Sequence, residues 1–322
     1  MALTQELEYE ISGGSLYYVI EGNRKTATVT EGGDGCPDRA YIVITRMQGL
    51  AGEVEIPETI KGIPVTAIGR KAFLSRKNLR KVTLPSCLAE VGDWAFAYCD
   101  SLHTVRFENS KEGEALCMPE FGKSVFLECS SLRRLYVGDG EEGTAALLAA
   151  AVTTAGAPYL LDAREAGSTE WLEKWDARMF TVLRTADNEG YSRQVLCGEE
   201  DYGSTDLVAY ESGQRRIKVR LLLLRLLYPI GLSELHRQEL EDYLRKHTKG
   251  CEHEETWQVI LEEHGEDRDF YQLFAGLGCI NSDNFEALLL DVGEEYPELR
   301  AYLMRYKEEQ LGYHDFFAGL EL

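Results

Sequence analysis

Ile68-Gly69-Arg70-Lys71-Ala72-Phe73, Val91-Gly92-Asp93-Trp94-Ala95-Phe96 and Phe121-Gly122-Lys123-Ser124-Val125-Phe126 are three versions of one phrase. The second starts 23 residues after the first, and the third 30 residues after the second. Each is followed at the same offset by a leucine that opens an apolar-x-x-apolar-x-apolar run. These runs are Leu79/Val82/Leu84, Leu102/Val105/Phe107 and Leu132/Leu135/Val137. Earlier, Val54-Glu55-Ile56-Pro57 matches Val82-Thr83-Leu84-Pro85 and supplies a fourth rung. One short strand with its turn cannot bury an apolar side alone, so such units stack. Stacking predicts one spine of Leu79, Leu102 and Leu132 and another of Phe73, Phe96 and Phe126. Gly69, Gly92 and Gly122 recur where the chain turns sharply, a job for which glycine is suited because it tolerates positive φ. The extra residues around Lys111–Leu116 read as a loop inserted between rungs.

A period of about 20 to 29 residues with this apolar spacing marks a leucine-rich repeat. The phrasing of Ile56–Phe73, Ile-Pro-Glu-Thr-Ile-Lys-Gly-Ile-Pro-Val-Thr-Ala-Ile-Gly-Arg-Lys-Ala-Phe, closely resembles the BspA-type leucine-rich repeat family. In that family a cysteine often follows the Ala-Phe pair by three residues. Cys99 and Cys129 keep it, and Arg76 replaces it. The resemblance covers about Leu7 to Val137. It implies a right-handed solenoid of the kind found in surface proteins that bind other proteins or host components. The asparagine ladder of eukaryotic repeats is absent: Thr59, Cys87, Ser110 and Gly140 stand there. Upstream, Leu7–Ile11, Leu16–Ile20 and Thr26–Thr30, separated by Gly13-Gly14 and Gly22-Asn23, read as short strands capping the open end of the stack.

Alternate residues of a strand face opposite ways. With Val82 and Leu84 inward, Glu53, Lys81, Thr104 and Arg134 form one outward row, and Glu55, Thr83, Arg106 and Tyr136 the next. Strands about 4.8 Å apart make these one patch roughly 15 Å tall. This is the expected binding face. Arg106, Arg134 and Tyr136 are its expected anchors, because Arg and Tyr dominate interface energetics.

The 322 residues carry a net charge of −21. Lys+Arg against Asp+Glu run 4 to 7 over Met1–Leu50, 12 to 11 over Ala51–Val137 and 18 to 37 from Gly138 onward. Such an acidic surface repels phosphate backbones and anionic headgroups, so the expected partner is a protein, not nucleic acid or membrane. A homo-oligomer is a further expectation. Leu221–Leu224 with Leu226 and Leu227, interrupted by Arg225, is too short to span a bilayer. Met1–Glu6 has no basic start or apolar core, so a cytoplasmic location is expected, with the cell surface as the alternative. The eight cysteines are scattered, as suits reduced thiols.

Gly143–Thr153 is Ala/Leu-rich and reads as a helix ending the stack, with another short helix at Trp171–Ala177. Phe180–Thr185 and Tyr191–Cys197 read as strands about an Asp187-Asn188-Glu189-Gly190 turn. From Gln214 the period is helical: Ile217, Leu221, Leu224 and Tyr228 share a face. Ser233 reads as the N-cap of a helix to Lys246. Further helices centre on Trp257–Leu261, Phe270–Leu277, Phe285–Val292 and Leu299–Tyr306, the last opened by Pro297.

Signatures of chemistry are sparse. Gly122-Lys123-Ser124 lacks the glycine of a phosphate loop, Cys117 standing in its place, and the repeat already accounts for Gly122. His247, Cys251 and His253, with His264 further on, are the best metal-ligand candidates, since zinc takes four N or S donors. A polar link between helices explains them more simply. Glu199-Glu200-Asp201 concentrates carboxylates in one loop without calcium-loop spacing. No cofactor and no catalytic residue is indicated.

The expected architecture is α+β. It comprises a short leucine-rich-repeat solenoid with a β N-terminal cap over 1–140, an α/β connector over 141–212 and an all-α helical-hairpin domain over 213–322. The expected function is non-enzymatic protein–protein interaction through the strand face. The alternatives are an enzyme or metal-binding regulator with its site in the C-terminal half, and a cell-surface adhesin-like protein.

Overall fold

The computed structural model describes residues 5–22, 40–108, 119–161, 165–192 and 206–312. The chain divides into two compact units, Met1–Trp175 and Asp176–Leu322. The first is a β-solenoid of about three turns, and the second is helical.

In the first unit β1 (Leu7–Ile11), β2 (Gly14–Glu21) and β3 (Tyr41–Gly49) form an antiparallel meander. The first two strands are those expected of the cap. Thr26–Thr30 lies outside the described residues, as does Lys111–Leu116. β6 (Ile63–Ile68), β8 (Glu90–Val91) and β10 (Glu120–Phe121) then extend β3 in parallel, while β5 (Thr59–Ile60) folds back on β6. A second, all-parallel sheet runs in the order β11 (Arg134–Val137), β9 (Thr104–Phe107), β7 (Lys81–Leu84), β4 (Glu53–Glu55). Parallel order follows from repetition: each circuit brings the next strand alongside its predecessor in the same direction.

The Ala/Val-Phe turns form the third side of the coil and have their own ladder of backbone hydrogen bonds. Lys71, Phe73 and Ser75 donate to the carbonyls of Asp93, Ala95 and Ala97, and Trp94, Phe96 and Tyr98 to those of Lys123, Val125 and Leu127. Inside, Phe73, Phe96 and Phe126 stack one above another, with centroids 4.9 and 5.7 Å apart and ring planes 20° and 11° from parallel. Leu79, Leu102 and Leu132 are buried beside them. Cys99 and Cys129 donate to the carbonyls of Phe73 and Phe96, each at 3.1 Å, so each thiol ties its rung to the one before.

The recurring glycines do something other than expected. Gly69, Gly92 and Gly122 are not in the positive-φ region, which is taken instead by Lys71 (60°), Trp94 (53°) and Ser124 (51°), two residues later. Glycine is needed for close approach. A Cβ on Gly92 would lie 2.7 Å from Arg70 N and 3.0 Å from Gly69 C, and one on Gly122 would lie 2.5 Å from Asp93 N and 2.8 Å from Gly92 C. The glycines therefore stack on one another, and the left-handed bend is displaced onto side-chain-bearing residues.

α1 (Glu142–Thr153) packs on β11 and closes this end of the stack. Its Ala and Leu residues are buried on nearly every side, as a helix set into a core requires. α2 (Thr169–Arg184) follows. Trp171 and Trp175 donate their indole N–H groups to the carbonyls of Leu160 and Leu147, both at 3.0 Å. α2 corrects the strand expected at Phe180–Thr185. Trp171, Leu172, Trp175, Met179 and Phe180 are all buried at helical spacing, and that stripe outweighs the local β preference of Phe-Thr-Val. Tyr191 and Ser192 are helical, which corrects the start of the strand expected there, and residues 193–197 lie outside the described residues.

In the second unit α3 (Leu207–Leu227) packs against α4 (Glu234–Lys246), α5 (Glu255–His264) and α6 (Arg268–Gly276), and α7 (Phe285–Val292) against α8 (Pro297–Tyr306). α3 begins ahead of Gln214 because the Asp206 carboxylate accepts the Val208 N–H as N-cap. Ser233 caps α4 through the His236 N–H, as expected, and Pro297 opens α8. Arg225, within the apolar run of α3, is fully buried. Its guanidinium pairs with Asp176 at 2.6 Å and donates to the carbonyls of Tyr228 and Ile230, fixing the turn after α3.

Candidate protein-interaction face

Parallel pairing without a bulge aligns the outward residues of β4, β7, β9 and β11. Glu53 pairs with Lys81, Lys81 with Thr104, and Thr104 with Arg134. Glu55, Thr83, Arg106 and Tyr136 follow in the same register. The intervening Val54, Val82, Val105 and Leu135 are buried. Glu53, Glu55, Lys81 and Arg134 are exposed, and Thr83, Thr104, Arg106 and Tyr136 half-buried. The face is graded in charge: carboxylates on β4, an ammonium on β7, hydroxyls in the middle and guanidiniums on β9 and β11.

Two of the arginines are already held. Arg106 lies over the Tyr136 ring, 4.1 Å from its centroid, and donates to the Gly138 carbonyl at 3.2 Å. A guanidinium fixed on an aromatic ring loses little further freedom when a partner docks. Arg134 pairs with Glu142 at 2.5 Å in the open, an ion pair worth about 0–1 kcal/mol and readily exchanged for a partner's carboxylate.

The metal-ligand candidates of the helical unit have other partners. The His247 ring stacks on Tyr243 with centroids 4.0 Å apart, and its Nδ1 is 2.7 Å from the Tyr243 carbonyl. The His253 ring lies parallel to it at 6.1 Å, and Cys251 Sγ is 3.6 Å from the Arg245 carbonyl. Among the described residues no three His, Cys, Asp or Glu groups converge as a metal ion would need. Glu199-Glu200-Asp201 lies outside the described residues.

A buried network nearby was not foreseen. Arg215 pairs with Glu255 at 2.8 Å and Asp187 at 3.3 Å, and Lys218 with Asp187 at 2.6 Å. Two cations and two carboxylates leave it neutral, and it ties α3 to α5. Burial, then the nearby carboxylates of Asp187 and Glu255, pushes the Tyr243 hydroxyl up. Burial also holds His247 below its ordinary range. The signal in the sequence was cationic residues at helical spacing with buried leucines in Arg215–Leu226.

Residues 52–142 match the family model of the BspA type leucine rich repeat region, in six copies. This segment is a BspA-type leucine-rich repeat. Solved structures similar to the chain include a leucine rich repeat protein of T. pallidum, at 31% identity, covering 29% of this chain and 41% of that one, with a TM-score of 0.25. A leucine rich cell surface protein from Faecalibacterium prausnitzii is 21% identical, covering 42% of this chain and 34% of that one (TM-score 0.29). A leucine-rich repeat protein from Bacteroides capillosus is 20% identical, covering 40% of this chain and 97% of that one (TM-score 0.25). The chain thus spans 41% of the length of the T. pallidum protein. No curated protein matches. The BspA-type segment contains all four strands of the aligned face. Among the described residues no helix is long and apolar enough to cross a membrane.

Proposed function

We propose that the chain is a non-enzymatic interaction protein that binds a protein partner on the outward rows of β4, β7, β9 and β11. The observation that carries this reading is the unbroken register, which gathers eight side chains from segments about 80 residues apart into one patch. Arg106 on Tyr136 supplies a rigid anchor, and Arg134 and Lys81 supply exchangeable charge. The partner presents carboxylates toward β9 and β11 and cations toward β4. Net charge argues against nucleic acid and anionic membrane as that partner. We place the protein in the reducing cytoplasm, because Cys99 and Cys129 act as thiol donors within the coil.

The test is affinity capture from a lysate with the parent chain and with an Arg106→Ala/Arg134→Ala/Tyr136→Ala variant, each checked for an unchanged circular dichroism spectrum. The parent retains a partner that the variant loses. Recovery of the same partners by both places the binding surface elsewhere.

A further inference from the structure

At the β4 end, the aligned face runs into a trough of about 450 Å3. Tyr9, Glu10 and Ile11 of β1 form one wall, and Glu53, Val54 and Glu55 of β4 form the other. Consecutive residues line both sides, so the trough is bounded by two strand edges and not by side-chain faces alone. Strand order places β1 and β4 at the ends of their sheets among the described residues. Ile56 N donates inward to Thr83 O, and the alternation of a strand then turns the N–H and C=O of Glu55 away from β7. On the other wall the β1–β2 hairpin closes on the Ile11–Gly14 pair, and the same alternation turns the polar groups of Glu10 away from β2. An unpaired edge is a template for another strand.

The side chains select the charge of that strand. Glu10, Glu53 and Glu55 are exposed, and among the described residues none has an ion-pair partner. Among the described residues Lys81 is the one cation lining the trough, which leaves an acidic site. We infer that this trough takes an extended basic peptide segment of the partner, added as a fifth strand on the outer edge of β4, with Lys or Arg at alternate positions facing Glu10, Glu53 and Glu55. Backbone pairing gives affinity to such a mode, and alternate side chains give selectivity. The inference rests on the interaction reading above and names the chemistry of the partner at one end of the face.

Fluorescence anisotropy with a labelled Lys-Val-Lys-Thr-Lys-Val-Lys peptide tests it on the full chain. A second peptide of the same sequence carries N-methyl groups at alternate residues, which keeps the charge and removes the edge hydrogen bonds. The first peptide binds saturably. N-methylation and Glu55→Lys each weaken binding at least tenfold, and the bound peptide slows amide exchange at Glu55 about tenfold. No saturable binding at millimolar peptide, or equal binding of the two peptides, overturns the strand-addition proposal. The Arg106/Arg134/Tyr136 alanine variant keeps peptide binding, so failure of the trough and failure of the wider face are read separately.

Discussion

At the scale of single residues, a glycine that relieves a left-handed backbone and a glycine that admits a neighbouring chain look alike in a sequence. The period of Gly69, Gly92 and Gly122 was legible, but the reason for it was not. It depends on the preceding rung, whose backbone would lie 2.5–3.0 Å from a Cβ at Gly92 or Gly122, a contact between residues far apart in the chain. The two kinds of position respond oppositely to substitution. Gly92→Ala forces a methyl against backbone that cannot move away, and overpacking of this kind costs roughly 1–3 kcal/mol. Lys71→Gly, at φ 60°, relieves the left-handed penalty of roughly 1–2 kcal/mol while adding about 0.5–1 kcal/mol of glycine entropy, so stability stays within about 1 kcal/mol of the parent. Urea denaturation followed by circular dichroism checks both, and a Gly92→Ala variant as stable as Lys71→Gly contradicts the stacking of the glycines. Burial pushes the thiols of Cys99 up to about 11 and of Cys129 and Cys279 up to about 12. A thiol held that high is almost wholly protonated at pH 8 and is a poor nucleophile. Iodoacetamide labelling with peptide mapping therefore leaves these three unmodified in the folded chain while exposed Cys251 reacts.

At the scale of elements, the rungs were legible because a period of fixed phrases survives every local ambiguity. The α2 helix was only partly legible, because Phe180-Thr181-Val182 satisfies a strand locally and the deciding stripe begins at Trp171. β3 and the early start of α3 were missed for related reasons. β3 carries no repeat phrase, and the first turn of α3 leaves Leu207 and Val208 exposed, so no apolar period announces it. The phenylalanine stack makes the rungs interdependent. Phe96 touches both neighbours, and its replacement by Ala removes a fully buried ring at a cost of roughly 3–5 kcal/mol. The loss appears in the denaturation midpoint of the repeat unit and exceeds that of Ser233→Ala, a cap lost from α4 at about 1 kcal/mol.

At the scale of the whole molecule, the acid excess beyond Gly138 sets charge and solubility, while half-buried His247 and Glu263 add pH sensitivity. Burial holds the His247 imidazole below its ordinary 6.5 in the fold, while the unfolded chain keeps that ordinary value. A base whose folded pKa is depressed contributes stability that is complete above the unfolded value. That contribution is lost as pH falls below 6.5 toward the folded value. Glu263 acts with the same sign lower down. Burial raises its pKa, but its hydrogen bonds and charge pairing with Arg220 and Arg216 outweigh this and hold it below its usual 4.5, so its contribution goes as pH falls through the acid range. Thermal melts of the helical unit fall between pH 7.5 and 5.5, and His247→Asn, which keeps a donor for the Tyr243 carbonyl, flattens that slope. An unchanged slope assigns the pH dependence to other groups.

The strand rows themselves were readable from a two-residue alternation applied to a repeat, and the register of the four strands places the eight residues in those rows. The trough beside β4 was not readable, because it forms where the N-terminal hairpin meets the first rung. Site-specific photo-crosslinking tests the interaction face most directly. A benzoylphenylalanine at Lys81 or Thr104, on the strand rows, is compared with one at Tyr98, exposed on the phenylalanine-turn side. The account predicts a crosslinked partner from Lys81 and Thr104 and none from Tyr98, whereas crosslinking from Tyr98 alone contradicts it.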